Sequence, residues 1–199
     1  MAHKFDKAGI EAAALELFVA KGVDGVSVRD IAEAVGMVPG NLYAHYRSKD
    51  DLVGQLFQAG YAEYAESLRD AATAPGGFRG RLEAMIRRIC ALHDEDETRF
   101  RFLLMTQHGH LPHVPRDSRN PVEFLCSTVD AAVREAEIPL GDPGLIAAGI
   151  VGVVVQAATF RMYGRITRGL GEMSDEIVAA CLAIAEARPA PGPKGRSHR

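Results

Sequence analysis

The sequence predicts an all-α fold, and three observations support this. Apolar residues recur at helical spacing along most of the 199 residues, without the strict alternation that is typical of strands. Glycine and proline residues separate these helical stretches from one another. Two stretches follow a serine that can cap a helix. With 47% hydrophobic residues, the chain can bury one helical core, or a small one and a larger one.

The first informative element is a short helix that begins after Ser27. Ser27 and Asp30 have the spacing of a capping box, in which each side chain satisfies a free backbone N–H group of the other residue. The apolar residues that follow fall on one face, and Gly36 stands where a left-handed residue is needed to end a helix. We therefore expect a compact helix followed by a tight turn.

A second helix is predicted to begin at Pro39, whose fixed φ suits the first helical position. Leu42 and Tyr46 share the side that can pack on the preceding helix. This turns Gly40 and Ala44 to the opposite side, which is nearly bare. A bare helix face can approach the floor of a DNA groove closely.

Polar side chains flank this bare face and favour contact with DNA. Asn41 can pair with adenine or phosphate, and Tyr43 can donate its hydroxyl to a phosphate oxygen. A further predicted helix begins after Ser48, which has the spacing of a second capping box with Asp51. Lys49 at the amino end of this helix is suited to phosphate. The predicted DNA-binding residues are Ser27, Arg29, Pro39, Gly40, Asn41, Tyr43, Ala44, His45 and Lys49.

The remaining sequence predicts helices up to a terminal tail. They span residues 48–72, 78–94, 97–108, 121–137, 143 to about 167, and 174–187. The tail, residues 188–199, carries four cations and no acid among its prolines, which predicts a disordered basic segment.

The segment from Ile10 to Leu52 resembles the DNA-binding domain of the tetracycline-repressor (TetR) family of bacterial transcription regulators. The most specific part is the run Leu42-Tyr43-x-His45 followed by Lys49. The other matching residues are Ala14, Leu17, Phe18, Gly22, Gly25, Ser27, Ile31, Ala32, Gly36 and Gly40. One departure is Val38, where the family often has a serine or threonine; a missing cap hydroxyl costs on the order of 1 kcal/mol.

The resemblance implies an organisation and a function. Residues 1–47 would form a helix-turn-helix domain that binds double-stranded DNA, and residues 48–187 a helical effector-binding and dimerisation domain. It implies a homodimeric repressor, released from a palindromic operator by a small molecule, although some members activate.

An uncharged stretch of 17 residues, 144–160, is apolar around its whole circumference. A transmembrane span needs about 20 apolar residues, and this stretch contains Gln156 and Thr159. Burial against a second subunit is therefore the preferred interpretation, and no membrane partner is expected. The predicted dimer interface comprises Ala148, Gly152, Val155, Ile177, Cys181 and Ile184.

Aromatic and aliphatic residues in the larger part of the chain predict an apolar ligand pocket, although such a stripe is also typical of plain core. Apolar walls with few polar groups suit an apolar or aromatic effector. The predicted lining is Phe100, Leu103, Leu104, Gln107, His108, Phe124 and Tyr163.

Two other function classes remain open. His108, His110 and His113 have a spacing that can serve a metal-responsive regulator, but polar loop histidines are preferred, so no metal site is assigned. No catalytic motif or phosphate-binding glycine loop indicates an enzyme, and no cofactor is predicted. A helical adaptor also stays possible.

Composition agrees with a small bacterial regulator. The three cysteines have no metal-ligand spacing, which favours reduced thiols, and no secretory signal precedes the first helix. A cytoplasmic protein is therefore expected. The net charge of −3 is a partial objection to DNA binding, but residues 27–49 carry three cations against two acids, so the rest of the chain carries −4.

Overall fold

The computed structural model describes residues 6–114 and 119–187. Over these two ranges the chain forms nine α-helices and no strand, which confirms the all-α prediction. The basic tail predicted for residues 188–199 lies outside the described residues. The helices are α1 Lys7–Lys21, α2 Val28–Val35, α3 Pro39–Leu42, α4 Lys49–Ala71, α5 Gly77–Glu95, α6 Glu97–His110, α7 Pro121–Arg134, α8 Pro143–Met162 and α9 Ser174–Ala185. One turn of 3-10 helix, Leu111–His113, follows α6.

Helices α1, α2 and α3 pack together at the amino end. The capping box of α2 is present: the Ser27 N–H donates to the Asp30 carboxylate (2.7 Å) and the Asp30 N–H donates to the Ser27 hydroxyl (3.2 Å). Gly36 has φ of 74° and ends α2 in the left-handed conformation, as predicted. The two helices of the predicted pair are therefore joined by a turn that the sequence specifies.

Helix α3 is shorter than the sequence predicts. Regular helix ends at Leu42, and the chain continues through turns in which the Tyr46 N–H still donates to the Leu42 carbonyl (3.0 Å). Val38 supplies no side-chain cap, and Gly40 and Asn41 are weak helix formers. The missing cap hydroxyl and this composition explain why only one turn is regular.

Helix α4 leads from the amino-terminal unit into a body in which it packs on α5, α6 and α7. Helix α7 ends at Arg134, before the predicted end at Glu137, because Ala136 turns out of the helix with φ of 58°. The Glu137 carboxylate instead accepts a hydrogen bond from the Phe78 N–H at the start of α5 (2.6 Å). This contact ties the end of α7 to α5.

Helix α8 crosses the body beside α7 and α9. It ends at Met162 rather than near residue 167, because Gly164 reverses the chain with φ of 69°. Within the described ranges, α8 is the single helix long and apolar enough to cross a membrane. One of its faces is nevertheless buried in the protein, through Ala147, Ile150 and Val154.

Candidate nucleic-acid interface and internal cavity

The surface formed by α3 and the following turn has the bare centre that the sequence predicts. Leu42 and Tyr46 are fully buried and fix this segment from behind, whereas Gly40 and Ala44 are exposed. A Cβ atom built on Gly40 has no neighbour within 4 Å. The surface can therefore receive another molecule at close range. Around it, Asn41 and His45 are exposed, and Tyr43 is 56% exposed.

A hydrogen bond from Tyr46 fixes the end of this segment on α1. The Tyr46 hydroxyl donates to the Glu11 carboxylate (2.9 Å), and Lys7 lies both 3.7 Å from Glu11 and over the Tyr46 ring. Burial raises the pKa of Tyr46, and the Glu11 hydrogen bond raises it further. The phenol therefore stays protonated and keeps donating at any physiological pH.

Lys49 has a structural role that the sequence did not reveal. Its ammonium donates to the carbonyl oxygens of Val23 (2.8 Å) and Val26 (3.0 Å), in the loop between α1 and α2. These bonds use two of the three ammonium hydrogens. Lys49 thus joins the start of α4 to the amino-terminal unit, and a phosphate contact at this residue stays a prediction.

The helix cap in front of Lys49 differs in detail from the prediction. Ser48 accepts from the Asp51 N–H (3.0 Å), as expected, but the Asp51 carboxylate accepts from the Arg47 N–H (2.9 Å) and does not return to Ser48. The predicted reciprocal box is therefore half formed, because the chain turns at Arg47 and brings that N–H group closer.

The other predicted DNA-binding residues lie at the start of α2 and at the start of α3. Arg29 is exposed in the first turn of α2, and Pro39 is half-buried as the first residue of α3. The Ser27 hydroxyl donates to the Asp30 carboxylate (2.6 Å). Hydrogen bonds from the side chain and backbone of Ser27 lower the pKa of Asp30. The role of Ser27 in the free protein is consequently that of a helix cap.

The helical body contains a cavity between α4, α5, α6, α7 and α8. About 110 Å³ is accessible to the centre of a water molecule, several times the roughly 10–15 Å³ that one water needs. Its walls are almost entirely apolar. The lining residues are Tyr61, Tyr64, Leu68, Met85, Ile86, Ile89, Phe100, Leu103, Leu104, Gln107, Pro121, Val122, Leu125, Ile150, Val151, Val154 and Val155.

Four of the predicted pocket residues line this cavity, all of them on α6: Phe100, Leu103, Leu104 and Gln107. The prediction is wrong for the other three. His108 is exposed on the outside of α6, Tyr163 is 70% exposed after the end of α8, and Phe124 lies under the Arg69 guanidinium (5.9 Å). Helical spacing fixes relative positions on one helix, but it does not fix which side faces inward.

The lining residues on α4 were not predicted from the sequence, although their spacing along the chain indicates a common face. Tyr61, Tyr64 and Leu68 follow one another at spacings of three and four, which places them on one face. Between α4 and α6 the approach is close, since a Cβ on Gly60 would lie 3.1 Å from the Leu103 side chain. The two helices therefore meet without a side chain from Gly60 between them.

The loop histidines do not assemble a metal site. His110 stacks on Phe57, with 5.3 Å between ring centroids, and His108 is exposed. Among residues 6–114 and 119–187, no three His, Cys, Asp or Glu side chains are placed to hold one ion. The metal-responsive alternative gains no support from these positions.

Helices α8 and α9 share an exposed face rich in small residues. On α8 it includes Leu145, Ala148, Gly152, Gln156 and Phe160, and on α9 it includes Ala179, Ala180 and Ala183. Ala148 and Gly152 of the predicted interface are exposed residues of α8, and a subunit contact at them stays a prediction. Gly152 has open space around it, because a Cβ there meets nothing within 4 Å.

The rest of the interface prediction needs correction. Ile177 and Cys181 are buried inside the subunit, so they do not belong to its surface. Val155 lines the cavity, and Ile184 is half-buried against Gly149. The apolar stripe of α9 on which the prediction rested faces its own core instead. Cys90, Cys126 and Cys181 are free thiols, as predicted.

The sequence model for bacterial regulatory proteins of the tetR family matches residues 10–56, which contain most of α1, all of α2 and α3, and the start of α4. The amino-terminal unit is therefore a DNA-binding domain of the tetR family. The two helices of the helix-turn-helix in this domain are α2 and α3.

The chain is similar to a transcriptional repressor and to a transcriptional activator. The transcriptional repressor KstR2 of Rhodococcus jostii is 32% identical over 73 residues, 37% of this chain and 36% of KstR2. The matched part thus spans about a third of that relative's length. The transcriptional activator FasR of Mycolicibacterium smegmatis is 24% identical over 149 residues, 74% of this chain and 68% of FasR.

Solved structures have the same fold over nearly the whole chain. The regulator FadR from Bacillus subtilis, in complex with stearoyl-CoA, superimposes with a TM-score of 0.71 at 19% identity. The likeness covers 90% of this chain and 98% of FadR. At this identity the comparison shows the fold of the chain and nothing more.

Proposed function

We propose that this tetR-family regulator acts as a homodimer that binds a palindromic operator and is released when an apolar small molecule fills the cavity. Residues 1–47 would bind DNA, and residues 48–187 would hold the effector and the second subunit. The observation that carries the proposal is the exposed, bare surface of α3, fixed from behind by Leu42 and Tyr46. Such a regulator would work in the bacterial cytoplasm, where the chromosome lies.

At the operator, Gly40 and Ala44 would face the floor of the major groove, where the Ala44 methyl can meet a thymine methyl. Asn41 has the chemistry to pair with a base edge or a phosphate, and the exposed Tyr43 hydroxyl to donate to a phosphate oxygen. Arg29 and His45 supply further polar contacts from either side. With few cations on this surface, affinity would be moderate and would fall as salt rises.

The second subunit is the proposed occupant of the exposed face of α8 and α9. Small residues at Ala148 and Gly152 allow two helices to approach closely, and the apolar rings of Phe160 and Tyr163 extend the same side of α8. A membrane is a poorer occupant, because α8 would have to leave the body in which Ile150 is fully buried. A two-fold dimer places its recognition helices about 34–36 Å apart, which fits two half-sites one DNA turn apart.

The chemistry of the cavity supports an apolar effector. Gln107 is the single amide among walls of aliphatic and aromatic residues, and few polar groups in an apolar pocket are typical of ligand sites. A fatty acyl chain is the class we favour, since the cavity runs between helices and FadR, which has this fold, binds stearoyl-CoA. Release requires only that the effector prefer the conformation that binds DNA poorly.

The test begins with selection of bound duplexes from a random DNA pool. The affinity of the selected operator is then compared between the wild type, Tyr43→Phe and Tyr61→Phe, without any effector. Loss of a hydrogen bond to a phosphate should weaken binding roughly tenfold in Tyr43→Phe. Tyr61→Phe is the matched control, because it removes the same atom from a tyrosine of the cavity lining; it should bind the operator as the wild type does.

Stearoyl-CoA is then added to the protein–operator complex. Release at concentrations that leave an unrelated operator complex intact would support the effector part of the proposal. Failure of the protein to enrich any duplex at low salt would contradict the DNA-binding part. Enrichment of a duplex that no acyl compound or apolar compound releases would contradict the effector part alone.

A further inference from the structure

Val38 is an apolar residue at the amino end of α3 that is 67% exposed. It occupies the N-cap position, where its side chain makes no hydrogen bond to the helix. Valine is among the least favourable residues at this position, because it has no oxygen that can accept from a free backbone N–H group. The side chain of Val38 therefore caps nothing in the fold, and most of its surface is open to another molecule.

Hydrogen bonds fix the backbone on both sides of Val38. Before it, the Met37 N–H donates to the Ala32 carbonyl (2.9 Å) across the left-handed Gly36. After it, the Asn41 N–H donates to the Val38 carbonyl (2.9 Å). A valine side chain is also stiff at χ1. Little conformational freedom would thus be lost when this side chain contacts a partner.

The neighbours of Val38 show that its side chain lies on the outer side of the amino-terminal unit. Met37 is half-buried against the core, and Leu42, one turn into α3, is fully buried. Gly40 and Asn41, which follow Val38 within the same turn, are exposed. Val38 therefore lies at the amino end of the exposed surface of α3, which is the part proposed to enter the major groove.

The position and the chemistry of Val38 fit one feature of that groove. In helix-turn-helix proteins, the amino-terminal residues of the second helix contact base edges. All four base pairs present hydrogen-bonding groups there, and thymine alone adds a methyl group, at C5. A valine side chain can neither donate nor accept, so against polar edges it would remove water without replacing the lost hydrogen bonds. Contact with the thymine methyl has no such cost and buries apolar surface.

We propose that Val38 is a specificity-determining residue of the DNA-binding surface, which selects thymine through its C5-methyl group at one position of each operator half-site. This inference rests on the proposed function and deepens it, since it states what one residue at the start of α3 reads. Contacts to phosphate position the protein on the duplex without regard to sequence. Val38 instead discriminates between bases.

The test uses the operator selected from the random pool, in which each thymine is replaced in turn by deoxyuridine. This replacement removes one methyl group and keeps the pairing with adenine. Fluorescence anisotropy measures the affinity of the full chain for each duplex at one salt concentration, because affinity depends on salt. The proteins compared are the wild type, Val38→Ser and Tyr43→Phe. Serine is a preferred N-cap residue, so Val38→Ser should fold at least as stably as the wild type, which thermal unfolding checks.

For the wild type, deoxyuridine at one thymine of each half-site should weaken binding about three- to fivefold, as expected for one buried methyl group. In Val38→Ser the ratio between the two affinities should fall to about one at that position, because the partner of the methyl group is gone. Thymines whose methyl groups meet other residues, such as Ala44, should keep their wild-type ratio in this variant. Tyr43→Phe is the matched control, since it alters a proposed phosphate contact and should keep the wild-type ratio at every thymine.

Two results would overturn the role of Val38 and leave the proposed function intact. One is an operator in which the thymine-to-deoxyuridine ratio is the same in the wild type and Val38→Ser at every position. The other is a ratio that is lost equally in Val38→Ser and Tyr43→Phe, since the methyl effect would then depend on the general fit of the surface. If the protein enriches no duplex at low salt, the proposed function itself fails, and this inference falls with it.

Discussion

The carboxylate of Asp94, at the end of α5, accepts a hydrogen bond from the backbone N–H of Gly171, 2.8 Å away. It also accepts from the Leu170 N–H (3.1 Å) and lies 2.8 Å from the Nδ1 atom of the buried His93. One side chain thus connects α5 to the loop between α8 and α9. A Cβ on Gly171 would lie 2.9 Å from the carboxylate, so the loop fits closely around it.

Stability at acid pH should depend on Asp94. Burial acts to raise its pKa, but the hydrogen bonds with His93 and the two N–H groups outweigh this and hold the pKa below its usual value. A lowered folded-state pKa contributes stability above the unfolded value of about 3.9, and this contribution is lost as the pH falls through the folded-state pKa. Urea unfolding between roughly pH 2.5 and 6 should show a smaller acid-dependent loss in Asp94→Asn than in the wild type. Asp130→Asn, on an exposed turn of α7, is the control and should keep the wild-type profile.

Lys49→Met should destabilise the protein by about 2 kcal/mol. The substitution leaves the carbonyl oxygens of Val23 and Val26 without their donor, and an unsatisfied buried acceptor costs roughly 1–3 kcal/mol. Lys21→Met removes an exposed lysine from the same unit and should change stability little. Chemical denaturation measures both. Equal stability of the two variants would contradict the structural role of Lys49 and leave a phosphate contact as its main function.

Gly36→Ala and Gly40→Ala should have opposite consequences. Gly36 has φ of 74°, and a side chain in the left-handed conformation costs on the order of 1 kcal/mol, so thermal stability should fall. Gly40 is helical with open space around it, so alanine should be tolerated by the fold. The added methyl should instead weaken operator binding by obstructing close approach to the groove. Unchanged operator affinity of a stable Gly40→Ala variant would show that this face stays away from DNA.

Gly152→Glu should convert the dimer to monomers. In the isolated subunit a Cβ atom at residue 152 meets no atom within 4 Å, and glutamate is a better helix former than glycine, so the helical content should not fall. A carboxylate buried between two α8 helices would strongly oppose association. Sedimentation analysis measures the change, with Gly109→Glu as control, because Gly109 is equally open but lies at the end of α6. Dimers that survive at micromolar concentration would place the interface elsewhere.

Local signals in the sequence predicted the elements of the DNA-binding unit well. The Ser27 and Asp30 pair, and Gly36 after it, act through the chain a few residues away, so their spacing contains all the information needed. The separation of Leu42 and Tyr46 from Gly40 and Ala44 also depends only on helical period. The predicted length of α3 was wrong, because it depends on the weak helix propensities of Gly40 and Asn41.

Contacts between distant segments could not be predicted in the same way. Lys49 meets carbonyl groups more than twenty residues away, and no pattern along the chain marks those acceptors. Ile177 and Cys181 form a clear apolar stripe, but a stripe shows only that a helix buries one side. Whether that side meets its own subunit or a partner is decided by how α9 lies against α5 and α8.

The close approach of Leu103 to Gly60 connects the cavity wall directly to the backbone of α4. Leu103 lines the cavity. It meets α4 at a glycine, so no side chain of α4 stands between the two helices at this point. Gly60 lies eleven residues after Lys49, about 16 Å along the axis. Under the proposed function, an effector that expanded the cavity would press on α4 at Gly60, and a movement of α4 would reach the loop between α1 and α2 through Lys49.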